Sequence, residues 1–375
     1  YRRQRQMCIR DRSIVMIPLF KVKMSYNAQH VVSDVLMSGF IGQGPVVEKF
    51  EDELQLVLKS KTRPVTVNSC TSAIDLAFEL IGVKPGDEVI ATPQTCFASN
   101  VHIVHRNAII RWADIDPITG LIDPESVKKL ITPKTKAIVA VNWAGKIADY
   151  KALKEFGIPV IEDAAHTWDV FISEPVERGN YICYSFQAIK FLTSGDGGAL
   201  VCDDPAKEAE ARILRWYGLD RTKNESFRCT QDITKVGFKY HMNDINAAIG
   251  LENISQARQS VNLSRLNSKF FISLVKNPLL TLPEWDNTCS YWLFSMHVKA
   301  GLKDHFTKYL ADKGIASSPV HYRNDLYSSI SQFREGPLPG VDQFTETQIC
   351  IPNGWWLTQE DLATIVHALN EYTGP

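Results

Sequence analysis

The chain has 375 residues, 45% of them hydrophobic and 22% charged, with 41 basic side chains against 42 acidic ones for a net charge of −1. That length allows two or three domains with a substantial core. The charge balance argues against nucleic acid or an anionic membrane as the main partner, and no apolar run is long enough to span a bilayer.

Tyr1 to Arg12 is strongly basic, and the apolar run from Ile14 to Phe20 is interrupted by Pro18. The run is too short for a signal-peptide core and no small-residue cleavage site follows, so residues 1–16 are expected to be an extension outside the fold. The eight cysteines (Cys8, Cys70, Cys96, Cys183, Cys202, Cys229, Cys289 and Cys350) include no C-x-x-C pair, and several sit in strand-like apolar runs. They read as free thiols of a reducing, cytoplasmic compartment. His102 and His105 have helical spacing but no thiol or carboxylate close by in sequence, so no metal is expected.

Ser38 to Pro45 is a glycine-rich loop, after which Val47, Phe50, Leu54 and Val57 recur at helical spacing. Glycines this dense before a helix either cradle a ligand or serve the loop's own geometry. Pro64 to Asn68 reads as a strand. It turns through Ser69-Cys70-Thr71-Ser72 into a helix with Ala73, Ile74, Ala77, Phe78 and Ile81 on one face. A strand that enters a helix this way presents unpaired N–H groups where phosphate binds, although Ser69 or Thr71 would equally serve as a plain cap.

Strand and helix signals then alternate. Strands are predicted at 86–90, 108–112, 136–142 and 158–162, and helices at 98–105, 124–130 and 149–156. This alternation predicts crossover units on a mostly parallel sheet, where ligands gather at the carboxyl ends of strands. Asn68-Ser69, Asp163 and Ser185 all fall at such ends. A strand at 199–202, a helix at 205–216 and an irregular stretch at 218–235 follow. Two further helices are predicted at 245–257, capped by Asn243 or Asp244, and at 260–275. A strand at 291–299, a helix at 305–313 and a last helix opened by Thr358 complete the chain.

Lys190 lies between the strand-like run Tyr181–Phe186 and the glycine-rich Ser194 to Leu200. One lysine at a strand end is ordinarily a surface residue. Together with Asp163 in Val160 to His166, it instead suggests the amine and carboxylate that a pyridoxal phosphate site requires.

Six stretches, in this order and spacing, carry a resemblance: Gly39 to Pro45, Ser69 to Ala73, Gly86 to Ile90, Glu162 to His166, Ser185 to Lys190 and Gly195 to Ala199. Together they resemble the DegT/DnrJ/EryC1/StrS family of pyridoxal-phosphate-dependent nucleotide-sugar aminotransferases, over roughly Ile17 to Tyr372. The resemblance implies a fold-type-I α/β architecture with a mostly parallel central sheet. It further implies a large cofactor domain (17–257), a small C-terminal α/β domain (258–375) and a homodimer that shares its active sites. Lys190 would be the Schiff-base lysine and proton shuttle, and Asp163 the partner of the pyridinium nitrogen. His166 would meet the phenolic oxygen, while Thr71, Ser72 and Ser185 would hold the phosphate.

Two departures stand out near the cofactor. Cys96 occupies the position of the family's stacking aromatic, with Phe97 next to it. Lys239 stands where many members place an asparagine on the neighbouring subunit's phosphate. On the substrate side, His321 and Tyr322 match the family segment, whereas Arg323-Asn324-Asp325 replaces its usual proline and second histidine, and Asn142 precedes Trp143-Ala144-Gly145 where many members have histidine. These differences are expected where sugar or nucleotide touches the protein. The implied reaction is transfer of an amino group from glutamate to a nucleotide-linked keto-deoxy sugar, a 4-keto-6-deoxyhexose being common in the family, for cell-surface polysaccharide or glycoconjugate synthesis. Sugar dehydratases of this fold carry histidine in place of the lysine, and Lys190 argues against that branch. Retention of Lys190, Asp163 and Ser185 together argues against a non-catalytic regulator. A dinucleotide-binding module would need a G-x-G-x-x-G after its first strand, which Asn68 to Thr71 does not supply.

Overall fold

A computed structural model describes residues 16–168, 171–172, 175–223 and 230–375. Cys8, Cys229 and the basic segment 1–12 lie outside the described residues, as does part of the stretch expected to be irregular at 218–235.

Seven strands form the central sheet: β1 (Val65–Val67), β2 (Glu88–Ala91), β3 (Ile109–Trp112), β4 (Thr135–Val141), β5 (Val160–Asp163), β6 (Tyr181–Ser185) and β7 (Gly198–Cys202). Their spatial order is β1-β7-β6-β5-β4-β2-β3. From β3 to β6 every pairing is parallel, and β7 runs against both of its neighbours. Both faces are buried, which is why these strands read as nearly continuous apolar runs. Cys183, Leu200 and Cys202 face one core, while Tyr184, Ala199 and Val201 face another.

The helices of this part are α1 (Ala28–Ser38), α2 (Pro45–Leu58), α3 (Cys70–Ile81), α4 (Val101–His105), α5 (Pro124–Leu130), α6 (Tyr150–Lys154) and α7 (Pro205–Leu214). α3 and α7 pack on the first face. The second face is covered by α2 and by α8 (Asp244–Leu274). Beyond α8, β8 (Leu280–Thr281), β9 (Phe294–Val298) and β10 (Gln348–Ile351) pair antiparallel in the order β10-β9-β8. With α9 (Lys303–Asp312) and α11 (Gln359–Glu371) they enclose a separate core around Phe271, Met296, Phe306 and Leu369. α10 (Pro339–Thr347) packs Val341 and Phe344 on the main core. Among the described residues no helix is long and apolar enough to cross a membrane.

The two helices predicted at 245–257 and 260–275 are one helix of 31 residues. No proline or glycine interrupts it near 258–260, and the Ser260 hydroxyl donates back to the Gln256 carbonyl at 3.0 Å instead of capping a new start. Its first half packs Ala247, Ala257 and Val261 on the sheet, and Phe271 belongs to the C-terminal core. The boundary expected at 257/258 therefore falls inside a continuous helix. Its N-cap is Asn243, which accepts from the Asn246 N–H.

The glycine-rich loop before α2 is filled by protein. The Asp244 carboxylate accepts from Gly44 N–H at 2.8 Å and from Val47 N–H at 3.0 Å. A Cβ on residue 44 would sit 2.7 Å from that carboxylate, so a larger residue would displace the Asp244 side chain from these hydrogen bonds. An anion does sit at this helix N-terminus, and it is supplied from α8. The other helix expected early, at 98–105, is a 3₁₀ turn over Phe97–Ser99 followed by the short α4. His102 Nδ1 lies 3.6 Å from Asp75, and no cluster of three His, Cys, Asp or Glu with metal-binding geometry occurs among the described residues.

Candidate active site

β1, β5 and β6 all end at one edge of the sheet, followed by Ser69, Asp163 itself and Ser185. A cavity of about 510 Å³ opens there. The sequence-predicted residues Thr71, Cys96, Asp163, His166, Ser185, Lys190 and His321 all line it. Antiparallel β7 brings the glycine-rich turn back past the start of α3. A Cβ on Gly198 would fall 2.6 Å from the Cys70 nitrogen and 2.7 Å from the Ser69 carbonyl carbon. Only glycine lets β7 lie close enough to hold the α3 N-terminus over the cavity. Ser69 caps α3 by accepting from the Ser72 N–H. The first N–H groups of the helix point out of the helix end without intrahelical partners, which suits a phosphate.

Asp163 is buried. Its Oδ2 accepts from the Ser99 hydroxyl at 2.6 Å, and its Oδ1 from the Ala165 N–H at 3.0 Å. Burial raises its pKa, opposed by those two hydrogen bonds and by the charge of Lys190. Lys190 shows the complementary behaviour. Burial lowers its pKa to about 8, against the pull of Asp163. Its Nζ stands 3.7 Å from the centroid of the Trp292 ring. That indole donates to the Ile189 carbonyl at 3.1 Å, which ties the platform to the turn carrying the lysine.

Four rings build the wall beside Lys190. Phe20 stacks on Trp292 at 5.2 Å, Trp292 on His166 at 4.3 Å, and His166 lies parallel to His321 at 5.7 Å. His166 Nδ1 accepts from the Ala144 N–H at 3.3 Å, so the neutral ring carries its proton on Nε2. Burial, together with the charges of Lys190 and His321, holds His166 well below its ordinary pKa. Burial also lowers His321, to about 4, and its Nε2 is buried without a hydrogen-bond partner.

Three predicted residues do not line the cavity. The Ser72 hydroxyl donates to Asn68 Oδ1 at 2.6 Å and belongs to the capping network. Lys239 is exposed, next to the Asn68 turn. Tyr322 is exposed, with its ring against Tyr327. Of the two side chains considered for the cofactor face, Cys96 lines the cavity, whereas Phe97 packs edge-on against Tyr327. Cys183, Cys202, Cys289 and Cys350 are buried free thiols.

In the single chain, the side chains that depart from the family pattern on the substrate side are held by protein partners. Asn142 is fully buried, donating to Glu162 and accepting from the Tyr150 hydroxyl and the Ala148 N–H. Arg323 pairs with Asp325 and Asp342. Asn324 donates to the Thr95 carbonyl at 2.9 Å and receives a hydrogen bond from Asn100, which holds the Cys96 loop in place. The important residues absent from the sequence reading are Trp292, Phe20 and Ser99. Nothing local marks them, because Trp292 and Ser99 acquire their roles only by packing against Lys190, His166 or Asp163, and Phe20 by stacking on Trp292.

Pyridoxal phosphate requires an amine that can shed its proton, a carboxylate for the ring nitrogen, an anion cradle and room for a ring. The residues present supply all four, and the fold and site together define a fold-type-I pyridoxal-phosphate-dependent aminotransferase. The model of the DegT/DnrJ/EryC1/StrS aminotransferase family matches residues 23–370, and the chain belongs to that family. Among solved structures, AtS13 from Actinomadura melliaura is 35% identical, with 95% of this chain and 99% of that chain covered at a TM-score of 0.89. The sugar aminotransferase CalS13 from Micromonospora echinospora is 33% identical, with the same coverage and a TM-score of 0.87. The spore coat polysaccharide biosynthesis protein SpsC of Bacillus subtilis (strain 168) is 28% identical over 364 residues, 91% of this chain and 92% of that protein.

Proposed function

We propose that this aminotransferase moves an amino group from glutamate to a nucleotide-linked keto-deoxy sugar, a 4-keto-6-deoxyhexose, in the synthesis of a surface polysaccharide or glycoconjugate. The observation that carries the reading is the pairing across one cavity of Lys190, lowered toward neutrality, with the buried carboxylate of Asp163. The kinship with CalS13 and SpsC supports a sugar as the acceptor.

When bound, the cofactor supplies an electron sink for charge developing at the reacting carbon. The protein's part follows from its own residues. With a pKa of about 8, Lys190 is neutral in a useful fraction near neutral pH, so it can take a proton from the donor's amine-bearing carbon and later return one to the sugar carbon. Asp163, held by Ser99 and Ala165, would place a negative charge against the ring nitrogen. His166, which lines the cavity with Nδ1 taken by the Ala144 N–H, would offer its Nε2–H as a neutral donor. The rings of Phe20, Trp292 and His166 form an apolar wall beside the amine.

Adding glutamate to the purified holoenzyme should shift the absorbance band of the cofactor–lysine adduct to that of the pyridoxamine form. A panel of nucleotide keto-sugars should then restore it. A band that responds to no amino donor would favour a regulator.

The working unit in this reading is a homodimer. Met37 and Phe40, at the end of α1, are large apolar side chains exposed on the single chain, as expected of a surface covered by a second copy. Lys239, exposed and outside its own cavity, would reach the neighbouring subunit's cofactor phosphate, where an ammonium suits a dianion. Lys239→Ala should weaken cofactor retention about tenfold in dialysis, as for loss of a charged hydrogen bond. Unchanged retention removes the assignment.

A further inference from the structure

Next to the catalytic cavity, and sharing Phe20, Lys190 and Trp292 with it, runs a narrow cleft between the chain at residues 20–23 and the Asn353 to Trp356 turn. Its lining includes Lys21, Lys23 and Lys190 together with Trp355 and Trp356, and no carboxylate. Among the described residues, neither Lys21 nor Lys23 has an acidic partner within ion-pair distance. Lys23 donates only to the neutral Gln259 side chain, at 3.0 Å. Both ammonium groups stand over the Trp355 ring, 5.5 and 5.4 Å from its centroid.

This arrangement is fixed by the backbone. Trp355 Nε1 donates to the Lys21 carbonyl at 3.2 Å, and Trp356 Nε1 to the Pro18 carbonyl at 3.0 Å. Phe20, between these anchors, is pinned by its stack on Trp292. The extended segment is thus held at three points, and its two lysines are presented at the rim without a counter-charge. Burial already lowers the pKa of Lys23, so an anion at the rim would relieve the cost of its charge. The depth of the cleft has only about 20 Å³ of free room, so a ligand lies along the rim rather than inside.

We infer that this rim is the docking site for the nucleoside diphosphate portion of the substrate, with the diphosphate on Lys21 and Lys23 and the base against the Trp355 indole. The inference rests on the reading of a nucleotide-linked sugar above and adds the residues that would recognise it. Two ammonium groups match the two phosphates of a diphosphate bridge, and an indole face is a general platform for a nucleobase. The shared residues Phe20 and Trp292 put the sugar end of such a ligand toward Lys190.

The test is calorimetric titration of the cofactor-loaded enzyme with uridine diphosphate and thymidine diphosphate, with inorganic pyrophosphate as competitor. The double variant Lys21→Ala/Lys23→Ala should bind both nucleotides at least tenfold more weakly and with a shallower salt dependence, since two charged contacts are gone. Its cofactor absorbance spectrum should match that of wild type, which reports an intact fold. Lys21→Arg/Lys23→Arg should restore binding. Equal affinity in the wild type and the alanine double variant overturns the assignment of the rim while leaving a nucleotide-linked substrate in place. Failure of the wild-type holoenzyme to bind either nucleotide overturns both.

Discussion

Lys190→Ala is expected to lower turnover by at least about 10⁴-fold, because in the proposed mechanism one substitution removes both the amine that would anchor the cofactor and the group that would move the proton. The cofactor's lysine-adduct band should disappear with it. The fold should survive. Burial holds Lys190 at about pH 8 against an ordinary 10.5, so the folded state carries fewer protons than the unfolded state between those values. The cost of its buried charge is therefore full below pH 8 and fades as the pH rises to 10.5. In cofactor-free protein, melting curves across that window should show wild type gaining stability relative to Lys190→Ala. A variant that keeps near-wild-type turnover would reassign the catalytic amine, and a flat comparison would mean that Lys190 is not desolvated.

Asp163→Asn should cost about 10² to 10⁴-fold in turnover while leaving the fold nearly unchanged. The shape is conserved, and the local bonds can adjust. The amide oxygen can accept from the Ala165 N–H, and the amide nitrogen can donate to a rotated Ser99 hydroxyl. What is lost is the negative charge proposed to face the ring nitrogen. The pH dependence separates this role from simple packing. Burial raises the Asp163 pKa, so in wild type the carboxylate is lost as the pH falls through that raised value, and cofactor affinity should fall with it. The asparagine variant has no such proton to gain, and its lower affinity should not change over the same range. Parallel curves for the two proteins would remove Asp163 from contact with the cofactor.

Much of the site was legible because it depends on local order. Ser69 to Ala73, Glu162 to His166 and Ser185 to Lys190 each place their chemistry at the end of a strand, and a parallel sheet collects such ends at one edge. The glycine-rich turn after Lys190 was legible as a turn, whereas the return of β7 past the α3 N-terminus, which needs glycine at position 198, was not. Ser72 looked like a cradle residue, yet its hydroxyl is taken by Asn68. Asn142 and Asn324 looked like substrate contacts because they depart from the family pattern. Each is buried in a hydrogen-bonded network whose partners, Glu162 and Thr95, are remote in sequence or on another element. A polar residue near a site is equally compatible with lining it and with supporting it, and only the packing distinguishes the two. The undivided α8 was missed because hydrophobic periodicity shows where a stripe changes core but not whether the backbone pauses there.

Taken alone, the sequence determined the alternating α/β architecture, the family resemblance, and the amine and carboxylate proposed to carry the chemistry. These depend on residue type and on spacing within single elements. Tertiary structure alone decided which rings stand over Lys190, which cysteine faces the cavity, and that Lys21 and Lys23 lie at its rim. Those neighbours come from segments up to 338 residues apart. Their contacts are made by burial in a common core, a property of the folded chain that no stretch of it carries by itself.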